Sequence, residues 1–140
     1  MVTYLNFHVL AALLNAVSLG AMLFFAVIVT PVVFKTLNGD VRTKFLGTIF
    51  PVYYRTLSAI NMLAGLLIFY RGEGWVLWII AAGFILSDMI LRPRIDRHRA
   101  GHYAGETLAS GKFKSLHRTS VLINIVQMIA SLIIFFRLAV

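Results

Sequence analysis

Val9–Phe34 reads VLAALLNAVSLGAMLFFAVIVTPVVF, a run without a single Asp, Glu, Lys or Arg. About 20 apolar residues are enough for a helix to cross the ~30 Å hydrocarbon core of a bilayer. The run therefore reads as a membrane span. It is expected to stay in the mature protein and does not read as a cleavable signal peptide, since no basic segment stands ahead of it here and it is far longer than the apolar core of such a signal. Phe7 and His8 stand just ahead of it at the expected interface. Pro31 should kink or end the helix near its far side.

Three further apolar runs follow at Thr48–Tyr70, Trp75–Leu91 and Thr119–Phe136. Lys35–Gly47 reads as a polar loop with a turn signal at Asn38-Gly39-Asp40. Arg71-Gly72-Glu73-Gly74 reads as a tight turn, and Arg92–Arg118 as the longest polar connection. Trp75 and Trp78 form an aromatic belt at the start of the third run. The expected fold is all-α, an integral membrane four-helix bundle with short loops, forming a single transmembrane domain over residues 1–140. No internal repeat is evident.

Composition agrees. Of 140 residues, 60% are hydrophobic and 13% charged, about half the charged share of a soluble domain. So small a soluble protein cannot hide that much apolar surface. Thirteen Lys and Arg stand against five Asp and Glu, a formal charge of +8. On a soluble domain this would suggest nucleic acid, but here the basic residues lie between apolar runs, where they meet anionic lipid headgroups. Nucleic acid is not an expected partner. The absence of cysteine excludes disulfides, thiolate metal sites, iron–sulfur clusters and thiol catalysis. No Gly-rich phosphate loop, Ser-His-Asp set or carboxylate pair is present, so the sequence leans away from an enzyme and no catalytic residue is assigned.

Loop charge gives a direction. The first and third connections carry Lys35, Arg42, Lys44, Arg92, Arg94, Arg97, Arg99, Lys112, Lys114 and Arg118, whereas the other side carries only Arg71 and Arg137. The positive-inside bias puts the basic loops in the cytoplasm and both termini outside it, in what reads as a bacterial inner membrane.

Polar residues within a span are costly and therefore carry the information. His117, Ser120, Asn124, Gln127 and Ser131 alternate three and four apart, which aligns them on one face of the last helix. Tyr54, Ser58, Asn61 and Gly65 do the same on the second, Asn15 and Ser18 mark the first, and Gly83 and Ser87 form a small-xxx-small pair on the third. Together they describe a polar bundle interior that either hydrogen-bonds neighbouring helices or lines a ligand path. Arg55 and Asp88, opposite in charge and similar in depth, are expected to pair, unless Arg55 snorkels to the headgroups instead.

Two metal readings are weak. His98 and His102, with Asp96 and Glu106 nearby, read as solvated loop histidines, and no metal site is assigned. A bis-histidine haem is excluded within one copy, since His8 and His117 lie at opposite ends of helices about 30 Å long. His8 remains a possible single ligand to haem b; no cofactor is otherwise expected.

Several pieces resemble a known family. They are Thr30-Pro31-Val32-Val33-Phe34, Gly47-Thr48-Ile49-Phe50-Pro51-Val52-Tyr53-Tyr54 with Asn61, Arg92-Pro93, and Phe113-Lys114-Ser115-Leu116-His117-Arg118-Thr119-Ser120 with Asn124. The chain resembles bacterial members of the transmembrane protein 205-like domain-of-unknown-function family, and is distantly similar to the copper resistance protein D-like superfamily. Phe7-His8 is similar to the haem-binding membrane protoporphyrinogen oxidases. The resemblance implies four spans and metal-drug handling or export. Three functions follow as expectations: transport of, or resistance to, a small molecule or metal complex by a homo-oligomer; a haem- or quinone-dependent oxidoreductase; or a non-catalytic subunit of a larger membrane complex.

Overall fold

The computed structural model describes residues 2–140, and within them the chain is helical from end to end with no strand. Helix α1 (Val2–Phe24) runs through a five-residue π turn at Phe25–Val29 into α2 (Thr30–Thr36). Helix α3 spans Gly39–Leu67. Helix α4 (Gly72–Leu86) passes through a second π turn, Ser87–Leu91, into α5 (Arg92–Tyr103), and α6 (Thr107–Ala139) completes the fold.

Both π turns precede a proline by one residue, and the reason is local. Proline lacks an N–H, and its ring clashes with the carbonyl four residues back. Widening the turn by one residue lets the helix continue. The Thr30 N–H bonds to the Phe25 carbonyl, five residues earlier, and its Oγ1 donates to the same oxygen at 3.0 Å. Arg92 N–H bonds likewise to the Ser87 carbonyl. Pro31 and Pro93 then sit in the first turn of α2 and α5, where no donor is needed. Pro31 therefore neither ends the helix nor breaks it.

The polar segments are helical rather than looped, which corrects three expectations. Only Leu37 and Asn38 separate α2 from α3. Asn38-Gly39-Asp40 opens a helix, with Asp40 in its first turn facing the positive end of the macrodipole. Arg42 holds the junction by donating from Nε and Nη2 to the Leu37 carbonyl at 2.9 and 2.7 Å, with its guanidinium over the Phe34 ring. Arg71-Gly72-Glu73-Gly74 is mostly the start of α4, and the turn lies at Ile68–Arg71.

Arg92–Arg118 is a helical hairpin that turns at Ala104–Glu106. Its charges pair along the helix instead of needing solvent on all sides. Gly105, at a φ of 82°, closes α5 by donating to the His102 carbonyl, a left-handed position that suits glycine. His98 and His102 are helical, not loop, residues. The His102 ring stacks on Phe113 at 4.4 Å, and its Nδ1 lies 2.8 Å from Ser110 Oγ.

Helix α1 packs on α3 and α6, and α4 packs on the same two, so the bundle closes in the order α1, α3, α4, α6. Met22, Leu57, Leu77, Ile80, Phe84, Ile134 and Leu138 form its core. The α3–α4 contact is very close, since a Cβ on Gly65 would meet Trp78 Cδ1 at 2.4 Å and one on Gly74 would meet the Ile68 carbonyl at 2.6 Å. Outward, Val17, Val27, Ile79, Met89, Leu122 and Ile133 are exposed, a surface that only a bilayer covers well.

Asn6–Thr36, Gly72–Tyr103 and Thr107–Ala139 are long and apolar enough to cross a membrane. Helix α3 is as long but more polar, because Arg55, Ser58 and Asn61 fall within its apolar stretch. The molecule is an integral membrane four-helix bundle.

Candidate functional site

The polar residues expected to share one interior separate into three layers. In the middle layer each side chain ties two helices or its own turn. Asn15 Nδ2 donates to the Ser131 carbonyl at 2.8 Å, Asn61 Nδ2 to Ser18 Oγ at 2.7 Å and to the Leu57 carbonyl at 2.8 Å. Ser58 Oγ donates to the Ala81 carbonyl at 3.2 Å, and Gln127 Nε2 to the Ile80 carbonyl at 3.0 Å. Gln127 fits because Gly83 leaves room; a Cβ there would lie 2.6 Å from Nε2. All of these residues are buried. Asn15 Oδ1, Asn61 Oδ1 and Ser131 Oγ have no partner among the described residues, so the layer is only partly satisfied.

The layer at the chain termini is an ionic lock. The Glu73 side chain, 8% exposed, accepts from Arg71 Nε at 3.2 Å and from Arg137 Nε at 3.0 Å. Arg71 Nη1 lies 3.1 Å from His8 Nδ1, and His8 Nε2 bonds to the Leu138 carbonyl. Helices α1, α4 and α6 are thus tied at one end. Both ring nitrogens of His8 are engaged in this lock.

The third layer, at the basic end, holds a cavity of about 490 Å³. Its walls come from the π turn and α2 (Phe25, Thr30, Phe34), from the first half of α3 (Leu46, Phe50, Tyr53, Tyr54), from α5 (Arg92, Ile95, Arg99, Tyr103) and from α6 (Phe113, His117, Ser120, Asn124). Asn124 Nδ2 donates to Tyr53 OH at 3.3 Å, and Tyr54 OH lies 3.5 Å from Ser120 Oγ. Phe113 and His117 stack in parallel at 5.9 Å, and Phe25 packs on Tyr53 at 4.6 Å. His117, Ser120 and Asn124 therefore face the cavity, whereas Gln127 and Ser131, on the same helical face, belong to the middle layer.

Beside the cavity runs a row of alternating charges. Arg55 Nε meets Asp88 Oδ2 at 2.9 Å, and Asp88 Oδ1 meets Arg92 Nε at 2.9 Å. Arg92 Nη1 meets Asp96 Oδ2 at 3.2 Å, and Asp96 Oδ1 meets Arg99 Nη1 at 2.8 Å. Arg55 both pairs and reaches outward, since its side chain is 72% exposed. It lines a separate groove with Asp88, Tyr54, Phe84, Ile85 and Met89. Arg99, at the other end of the row, is 4% exposed, and its Nε has no hydrogen-bond partner among the described residues.

Tyr54 of α3 and His117, Ser120 and Asn124 of α6 are thus the cavity residues that helical spacing singles out. Arg92, Tyr53, Phe34, Phe50 and Phe113 enter the sequence reading within the pieces that carry the resemblance, and Phe25, Arg99 and Tyr103 are not marked as cavity residues at all. The spacing of Arg92, Ile95, Arg99 and Tyr103, three, four and four apart, is the signal that places them on one helical face. No group of three or more His, Asp or Glu able to hold a metal occurs among the described residues.

A family model described as a domain of unknown function, DUF4149, matches residues 13–104. The chain belongs to this family. The match takes in α2, α3 and α5, hence three of the four walls of the cavity, and stops short of α6. No curated protein and no solved structure matches the chain.

Proposed function

We propose that the protein binds a small molecule in the cavity at the basic end and moves it across, or out of, the membrane. The observation that carries this reading is the contrast between the two ends of the bundle. One is tied shut by Glu73, Arg71, Arg137 and His8. The other holds a cavity of about 490 Å³, within the size range of drug-like ligand sites, about 300–1,000 Å³. The asymmetry suits a carrier open on one side only. The loop charges support the basic end as the cytoplasmic one. A four-helix bundle is thin, which favours action as a homo-oligomer or within a larger complex, with anionic lipids along the basic hairpins.

The ligand reading concerns the cavity rather than the middle layer, whose amide donors are engaged by backbone carbonyls and by Ser18. An organic molecule suits the aromatic walls better than a bare metal ion. A haem-dependent oxidoreductase reading would draw on His117, whose imidazole lines the cavity; a Soret band in purified protein that disappears in His117→Ala would favour it.

The test is accumulation of a panel of lipophilic dyes and drugs in cells expressing the wild type or Asn124→Trp, which fills the cavity from α6. The wild type should lower accumulation of at least one compound and the variant should not. An equal effect of both, at equal membrane expression and equal elution volume, would remove the cavity from the mechanism.

A further inference from the structure

The charge row beside the cavity has three guanidinium groups and two carboxylates. Arginine stays protonated in proteins, so one positive charge is left over. At the Arg55 end the surplus is cheap, because that side chain is 72% exposed and can reach the headgroups. At the Arg99 end it is costly. That side chain lines the cavity at 4% exposure, its Nη1 lies 2.8 Å from Asp96 Oδ1, and its Nε is enclosed without a hydrogen-bond partner among the described residues. A buried cation so incompletely matched calls for an anion.

The rest of the cavity excludes a small, fully hydrated anion as its natural occupant. Phe25, Phe34, Phe50 and Phe113 present apolar rings around most of the space. Arg92 shares the α5 wall with Arg99 and His117 lines the cavity from α6, with no carboxylate among the lining residues. An acidic head and an apolar body are both provided for.

We propose that the cavity binds a lipophilic organic anion, its acidic head on Arg99 and its body among Phe25, Phe34, Phe50 and Phe113. This rests on the cavity reading above and adds the charge of the ligand. A guanidinium holds a carboxylate or phosphate by paired N–H bonds, and an acidic head at Arg99 would neutralise the surplus charge of the row. The same chemistry is offered by a free fatty or aromatic acid and by a single-chain anionic lipid.

The experiment uses the full chain in nanodiscs and three photoactivatable 16-carbon probes that differ only at the head: carboxylate, alcohol and primary amine. Labelled residues are mapped by mass spectrometry. The carboxylate should label the cavity walls in α3 and α6 at least tenfold more than the alcohol, and the amine should not label them. Arg99→Gln should reduce the carboxylate to the level of the alcohol, while Arg99→Lys should restore part of the difference. Should Arg99→Gln fail to fold, the choice among the three heads by wild-type protein still decides the matter. Equal labelling of the walls by acid and alcohol would overturn the anion and leave the cavity as a binding site. Labelling confined to the lipid-facing surface for all three would instead sink the cavity reading itself. Excess hexadecanoate and excess single-chain lysophosphatidylglycerol, as competitors, separate the two sources. Competition by either one supports the anion, and failure of both to compete counts against it.

Discussion

Asp88 holds two arginines from a side chain only 9% exposed. Asp88→Asn keeps its shape and removes its charge, leaving Arg92, 23% exposed, with only Asp96. Loss of one charged partner at a half-buried site costs about 1–3 kcal/mol, so the variant should unfold at a clearly lower temperature in detergent. An unchanged Tm would mean that Arg55 and Arg92 are solvated well enough without it. Gln127→Leu removes a single interhelical bond to the Ile80 carbonyl. Bonds of this kind between membrane helices average about 0.6 kcal/mol and reach about 1.7 kcal/mol, so a smaller drop is expected from the same measurement. The pairing of Arg55 with Asp88 is legible in the sequence, because two opposite charges at one depth in hydrocarbon have few alternatives. Arg99 is not, since it is one of four arginines within eight positions, and only the packing of α5 on α6 decides which one faces inward.

Among the elements, the apolar helices can be read from hydropathy because lipid imposes it on them. Their ends cannot. Charged residues such as Lys44, Arg94 and Lys112 signal water, but water permits a helix as readily as a loop once neighbouring turns supply partners. The π turns are equally silent, although Thr30-Pro31 and Arg92-Pro93 mark where the backbone must yield. Each widened turn adds one residue and so rotates the following helix by about 100°. That rotation sets the faces of α2 and α5 that meet the cavity. Pro31→Ala removes the need for the extra residue. The helix should relax toward regular α geometry and turn Phe34 away from the cavity. Distances between spin labels at Lys35 and Lys114 should shift, and labelling of the cavity by the carboxylate probe should fall. An unchanged distance distribution would show that the turn is held by packing and not by the proline.

At the scale of the whole molecule, Gly72–Tyr103 and Thr107–Ala139 have 32 and 33 residues. They are about 48 and 50 Å long against a hydrocarbon core of about 30 Å. The hairpin therefore carries its basic turn well past the lipid. Because the chain has no cysteine, single substitutions report its orientation cleanly. Asn38→Cys and Ala104→Cys should react with a membrane-impermeant thiol reagent only from the cytoplasmic side, and Gly72→Cys and Val140→Cys only from the other. The reverse pattern would invert the proposed direction. The bundle itself is evident from four apolar runs. The cavity is not, because a phenylalanine facing lipid and one facing a ligand look alike in a hydrophobic string.

The charge row from Arg55 to Arg99 links an outward-facing groove to the cavity. Its surplus is a single charge, so two anions compete for it from opposite ends. An acidic headgroup drawn to Arg55 leaves less positive potential for an occupant at Arg99, and the occupant weakens the headgroup in equal measure, because such couplings are reciprocal. The bilayer would then act as an antagonist whose strength follows its own content of acidic lipid.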